Sequence, residues 1–245
     1  MRAILGVRIY LAHAKLLWIR VGAKPMPRFP RLVVPGYPHH VTQRGVRRQT
    51  TFFEDADYRA YVSLASELLP EFDLEFLAYC LMPNHIHAIV VPNERSALSR
   101  FFATLHRRYA RRTNALHEWR GHLWQERFYS VVMDEPHTMS AMRYVELNPV
   151  RSGLVDSPHA WPWSSARCNL GMAPDGLINR QRTRRIVTNW RRYLAEGGTA
   201  KELDDLRRQT RTGRPEGRDT FLDELEARTG RPLRKKKRGR APKKE

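Results

Sequence analysis

The sequence predicts an α+β protein with a ferredoxin-like split β-α-β core, an antiparallel sheet with helices packed against it, followed by a basic helical C-terminal extension. Three observations lead there. Four segments have strand character, alternating or rich in aromatic and β-branched residues. Three others place apolar residues at helical spacing. Their order, β-α-β-β-α-β-α, contains the split arrangement. With 245 residues the chain can bury a core without disulfides. Cys80 and Cys168 are too few and too far apart for a disulfide framework or a thiolate zinc site, which suits a reducing cytosol.

Taken in order, Tyr37 to Arg44 alternates as a strand and closes at Gly45 and the basic run Val46-Arg47-Arg48. Asp55 to Leu69 spaces Tyr58, Tyr61, Val62, Ala65, Leu68 and Leu69 as a helix, with Asp55 as its cap and Pro70 as its stop. Leu74 to Met82 and His85 to Val91 are apolar runs joined by the turn-favouring pair Pro83-Asn84, hence neighbouring strands. Ser96 to Arg112 is a basic amphipathic helix with Leu98, Phe101, Phe102, Leu105 and Tyr109 on one face. Leu123 to Met133 reads as a fourth strand. A third helix runs from about Pro136 to Asn148, where Pro149 opposes continuation.

Beyond Trp161-Pro162-Trp163 the composition shifts toward Arg, Thr, Asn and Gly, with helical patches at Arg184 to Leu194 and Lys201 to Arg208. Thr212-Gly213-Arg214-Pro215 and Thr229-Gly230-Arg231-Pro232 punctuate a helix capped by Asp219, whose Phe221, Leu222 and Leu225 form an apolar patch. The expected organisation is an N-terminal extension over 1–25, ahead of the initiator-like Met26-Pro27-Arg28, then a core domain over 26–166. A helical extension over 167–230 and a basic tail over 231–245 complete it. That tail holds nine Lys or Arg and one acid, a density that resists collapse until an anion binds.

Forty-four Lys and Arg against 25 Asp and Glu give a net charge of +19, which places a nucleic acid first among partners and an anionic membrane surface second. No run of about 18 apolar residues exists to span a bilayer. Arg8, Lys15 and Arg20 interrupt the apolar stretch from Ala3 to Val21 that a signal peptide would need. The expectation is a soluble cytoplasmic protein associated with the nucleoid.

Two patterns carry chemistry. On a strand, His85 and His87 project from one face, so two imidazoles can share a divalent metal. In a chain with ten histidines a chance His-X-His pair is not rare, and the pair alone is weak. Histidine-triad nucleotide hydrolases use a similar strand, but Ile89 stands where their third His belongs. On a helix, Tyr144 and Asn148 are four apart and share a face, setting a phenol beside an amide. A structural tyrosine with an Asn near a helix end is the commoner occurrence of that pair.

Together these residues resemble a known family. Pro35-Gly36-Tyr37 to Arg48, Met82 to Val90, Leu123-Trp124-Gln125-Glu126-Arg127-Phe128, Tyr144 to Val150 and Trp161-Pro162-Trp163-Ser164 are similar, in this order, to REP-associated tyrosine transposases, which are single-tyrosine HUH transposases of the insertion-sequence-200-like kind. The resemblance covers about residues 26 to 170 and, more loosely, the basic tail. It implies that His85 and His87 are metal ligands, Tyr144 the nucleophile and Asn148 a third ligand, at a position that is Gln in some relatives. It also implies a Mg²⁺ or Mn²⁺ cofactor and a single-stranded DNA substrate with a hairpin from a palindromic repeat. Cleavage and rejoining would pass through a 5′-phosphotyrosine, in a monomer or a homodimer.

Arg44, Arg47 and Arg48, Arg107, Arg108, Arg111 and Arg112, and Lys235, Lys236, Lys237 and Arg238 are candidate phosphate contacts, against the alternative of solvated surface charge. Trp124, Phe128 and Trp163 are candidate base platforms, with core packing the commoner role of such rings. Two rival readings are a catalytically silent DNA-binding regulator, which needs neither Tyr144 nor the His pair, and an RNA-binding module with no metal requirement.

Overall fold

The computed structural model describes residues 31–234, and for Arg211 the backbone alone. The expectations for 1–25 and for Lys235, Lys236, Lys237 and Arg238 lie outside the described residues. Four strands, β1 (His39–Arg44), β2 (Leu74–Met82), β3 (His85–Pro92) and β4 (Tyr129–Val132), form one antiparallel sheet in the order β2-β3-β1-β4. Helices α1 (Asp55–Leu68) and α2 (Ala97–Leu116) alternate with them as the split β-α-β arrangement requires. After β4 come α3 (Glu135–Glu146), α4 (Asn148–Arg151), α5 (Ala166–Asn169), α6 (Arg180–Ile186), α7 (Trp190–Ala195), α8 (Ala200–Thr212) and α9 (Asp219–Thr229).

Both faces of the sheet are buried. On one, Val41, Phe76, Tyr79, Leu81, Ile86, Ala88 and Val90 meet rings and aliphatic groups of α1 and α2. On the other, Leu77, Cys80, Ile89 and Val91 meet Ala141, Met142 and Val145 of α3, Trp190 and Tyr193 of α7 and Leu206 of α8. Double burial explains why β2 and β3 read as continuous apolar runs rather than alternating ones. Because side chains alternate, His85 and His87 of β3 and His40, Thr42 and Arg44 of β1 lie on the α3 side.

Several boundaries differ from the sequence expectation. The fourth strand is confined to Tyr129–Val132, and the first begins at His39. Leu123, Trp124 and Phe128 are apolar because they fill the α1 and α2 core as a loop, broken by Glu126 at φ 56°. Asp55 is the first residue of α1, not its cap. Glu54 caps it, in a reciprocal capping box with Asp57. The second helix runs a turn past Arg112. Asp134 caps α3 and accepts the His137 N–H, and the helix ends at Glu146, so Asn148 opens the short helix α4 with Pro149 behind it. Arg184 to Leu194 is two helices parted at Val187.

Arg218, rather than Asp219, stands at the cap position of α9, without a side-chain bond. The repeated Thr-Gly-Arg-Pro punctuation has one physical cause: Gly213 and Gly230 end α8 and α9 in the left-handed conformation, at φ 66° and 65°. The apolar patch of α9 is core, since Phe221 and Leu225 pack with Leu32, Val34, Val132 and Leu233. Leu233 is buried, and Arg234 is tied to Asp223 and Glu226, so the described start of the basic tail is anchored.

Residues 163–179 run along the outer rim of β2. Leu81 N–H donates to Trp163 O and Ser165 N–H to Tyr79 O, and Asn179 N–H donates to Phe76 O. Among the described residues no helix is long and apolar enough to cross a membrane.

Candidate active site

The pairing of β1 with β3 sets Thr42 opposite His87 and Arg44 opposite His85. The two β3 imidazoles are 5.0 Å apart between centroids, and the ring of His40 lies near-parallel to that of His87, centroids 5.1 Å apart. Tyr144, on α3, turns its ring edge-on to His87 at 5.5 Å and to His40 at 6.3 Å. These groups open into a cleft of about 680 Å³ lined by Arg44, Arg48, His85, His87, Tyr144 and Arg207 among others. His85, His87 and Tyr144, distant in sequence, are thus brought together.

Burial sets the charge state of the rings. It holds His40 and His85 at about 4 and His87 well below the ordinary imidazole value, so all three are neutral near pH 7 and carry a lone pair. The Asn84 Nδ2 group donates to Arg48 O at 3.1 Å, which turns its Oδ1 toward His85 Nδ1 at 2.6 Å. An amide oxygen only accepts, so His85 carries its proton on Nδ1 and leaves Nε2 free.

Arg47 and Arg48 sit in the turn between β1 and α1 at φ 53° and 64°. Two consecutive left-handed non-glycine residues cost about 1–3 kcal/mol each. The turn is held by Val46 N–H donating to Leu123 O and by the Asn84 bond.

The Arg151 guanidinium lies 4.1 Å from the Tyr144 ring centroid and donates to the Tyr144 carbonyl at 2.6 Å. One turn beyond Tyr144, Asn148 is buried, and its amide nitrogen has no hydrogen-bond partner. It is not among the residues lining the cleft. Among the described residues no three His, Cys, Asp or Glu side chains converge to hold a metal by themselves. Behind Tyr144 the buried Glu146 Oε1 accepts from Ser165 Oγ at 2.7 Å and Asn169 Nδ2 at 2.6 Å, which anchors the Trp-Pro-Trp-Ser segment to α3. Burial raises this carboxyl to about 7.

The arginine candidates divide. Arg44 and Arg48 reach the cleft, whereas α2 packs on the opposite face of the sheet. There Arg108 pairs with Glu67 at 2.8 Å and Arg112 with Asp57 at 2.6 Å, tying α2 to α1, while Arg47, Arg107 and Arg111 are exposed. Trp124 and Phe128 are buried, and Trp163 stacks on Tyr58 at 5.0 Å, so none is an open platform. Among the described residues the exposed Phe and Trp rings are Phe53 and Trp119, 5.6 Å apart.

Sequence reasoning missed His40, Arg151, and Arg207 and Thr210 of α8, which also line or support the cleft. His40 and Arg151 stand inside the quoted motifs, where alternation and helical spacing could have placed them. For Thr210 no local signal exists.

Residues 34–148 match the family described as Transposase IS200 like. A REP-associated tyrosine transposase of Haemophilus influenzae is 26% identical over 105 residues, 38% of this chain, and the match spans 60% of that relative's length. A solved structure described as a REP-associated tyrosine transposase bound to a REP hairpin superposes with a TM-score of 0.53 at 19% identity, covering 61% of this chain and 89% of that one. That likeness concerns the fold. The segment that carries His85, His87, Tyr144 and Asn148 is the one that matches the model of the IS200-like transposases.

Proposed function

We propose that the chain is a metal-dependent strand-transferase that cuts and rejoins single-stranded, hairpin-forming DNA through Tyr144, acting on DNA of the nucleoid in the cytoplasm. The observation that carries this reading is the Tyr144 ring set edge-on to the neutral His87 imidazole in an arginine-lined cleft. The DNA bound by the solved structural relative supports the choice of substrate.

In this reading Tyr144 Oη attacks a phosphodiester phosphorus in line. An O–P bond forms to the phenol as the bond to the 3′ oxygen breaks, and the released 3′-hydroxyl gains the proton that the phenol loses. The product is a 5′-phosphotyrosine, and attack by a DNA 3′-hydroxyl reverses the step without ATP. Arg151 holds the Tyr144 ring and backbone. Arg44, Arg48 and Arg207 bind phosphate oxygens in the cleft, with Arg47, Arg107 and Arg111 contacting DNA further out.

His85 and His87, each through Nε2, with the Asn148 amide oxygen, would hold a divalent ion such as Mn²⁺ or Mg²⁺. The fit rests on two neutral imidazoles, His87 buried and His85 half-buried, and on an amide with a buried, unpartnered end, since amide orientation follows whatever partner is present. When bound, such an ion withdraws charge from a phosphate oxygen.

The test is to mix the protein with labelled hairpin DNA from the flanks of its own gene, plus Mn²⁺ or Mg²⁺, and to resolve adducts on a denaturing gel. A metal-dependent band absent from Tyr144→Phe is expected. Tight binding without an adduct would return the chain to the silent-regulator reading.

A further inference from the structure

Helix α8 lies outside the segment that matches the transposase family, yet it reaches the metal-binding histidines through a hydrogen-bond chain whose proton directions can be worked out. Thr210 Oγ1 lies 2.8 Å from Leu206 O and 3.3 Å from His40 Nδ1. His40 Nε2 lies 2.9 Å from His87 Nδ1. A hydroxyl has one proton, and a carbonyl can only accept. The Thr210 proton therefore goes to Leu206 O, the usual bond of a helical threonine to the carbonyl four residues back.

Each later direction follows from that first one. Thr210 Oγ1 accepts, so His40 donates from Nδ1 and has a bare Nε2. A bare Nε2 accepts, so His87 donates from Nδ1 and its own Nε2 is left with a lone pair. Were Thr210 to donate to His40 instead, every proton would shift by one place and His87 Nε2 would carry a hydrogen, unable to ligate. His85 reaches the same tautomer independently, through Asn84 and Arg48.

We infer that Thr210 and His40 are positioning residues that select the metal-binding tautomer of His87, making α8 of the C-terminal extension a working part of the site. The inference rests on the metal-site reading given above. Partners of this kind, behind a ligating histidine, set its ring orientation and typically change metal affinity by about 10- to 100-fold. His40 is only 2% exposed, with its two ring nitrogens facing Thr210 and His87.

The test needs no DNA. In metal-free protein with ¹⁵N-labelled histidine, long-range ¹H–¹⁵N correlation spectra report which ring nitrogen of His87 is protonated, and electron paramagnetic resonance of free Mn²⁺ reports affinity. Wild type is expected to show His87 protonated on Nδ1. Thr210→Val keeps the β-branched shape but removes the acceptor, so the Nε2–H form should appear and Mn²⁺ affinity should fall by about tenfold. Thr210→Ser should restore both.

A wild-type His87 protonated on Nε2 overturns the inference even if Thr210→Val fails to fold. So does a Thr210→Val protein with the wild-type tautomer and Mn²⁺ affinity within about twofold, or a Thr210→Ser protein that rescues neither. Failure of the strand-transferase reading looks different: wild type would form no DNA adduct while the tautomer and Mn²⁺ results stand.

Discussion

Acidification should destabilise this protein through His106, a group far from the proposed chemistry. His106 lies on α2 among the rings of Tyr61, Phe102, Trp124 and Phe128, and its Nε2 meets the Tyr61 hydroxyl at 3.0 Å. Burial lowers its pKa from the ordinary 6.5 to about 3. The folded value lies below the unfolded one, so the unfolded chain takes up the proton first. The stability involved is present above the unfolded pKa and is lost as pH falls from 6.5 toward 3. For a single site with these two values, going from about pH 7 to about pH 5 removes about 2 kcal/mol.

Other buried histidines titrate in the same range, so the assay is a double difference: urea unfolding of wild type and His106→Gln at both pH values. Glutamine puts a polar atom near the former Nε2 but does not titrate, and its fixed cost cancels in the subtraction. The variant should lose about 2 kcal/mol less than wild type on acidification. Equal losses in the two proteins, within about 0.5 kcal/mol, would refute the claim that this imidazole is held neutral.

Trp124→Ala should cost about 3–5 kcal/mol in urea unfolding, because the ring fills the α1 and α2 core and its Nε1 donates to His106 O; lost DNA affinity in a protein of wild-type stability would restore it as a base platform. Leu225→Ala should cost about 2–5 kcal/mol and expose α9 to limited proteolysis, and a loss under about 0.5 kcal/mol would mean that α9 is an appendage. Arg112→Ala strands the nearly buried Asp57 carboxylate and should cost about 2–4 kcal/mol, whereas Arg107→Ala and Arg111→Ala should leave stability within about 0.5 kcal/mol. If those two exposed arginines touch phosphate, each substitution lowers the salt slope of DNA binding by about one, and an unchanged slope removes them from the interface.

The strand and helix order was legible because alternation and helical spacing are local properties. The His85 and His87 face followed from the same alternation. Where apolar content alone was the guide, as from Leu123 to Phe128, a core-filling loop and a strand look the same, and only the φ of Glu126 distinguishes them. The sequence reads the third helix to Asn148 with Pro149 as its stop; it ends at Glu146, and Pro149 stands instead in the first turn of α4, where its missing N–H costs no helical bond. His40 could be placed on the right face but not against His87, since that contact depends on the register between strands 47 residues apart. Thr210 is 170 residues from His40, a separation at which single-sequence patterns carry no information.

The run of backbone from Trp163 to Asn179 along β2 has a further consequence for assembly. Amides on that rim donate to or accept from their own chain, and the opposite rim is a strand of only four residues. Among the described residues a neighbouring copy therefore finds no long row of vacant donors and acceptors along β2, which opposes growth into shared sheets or fibrils at that side. On the described surface, self-association by strand pairing is thereby confined to the short β4 edge.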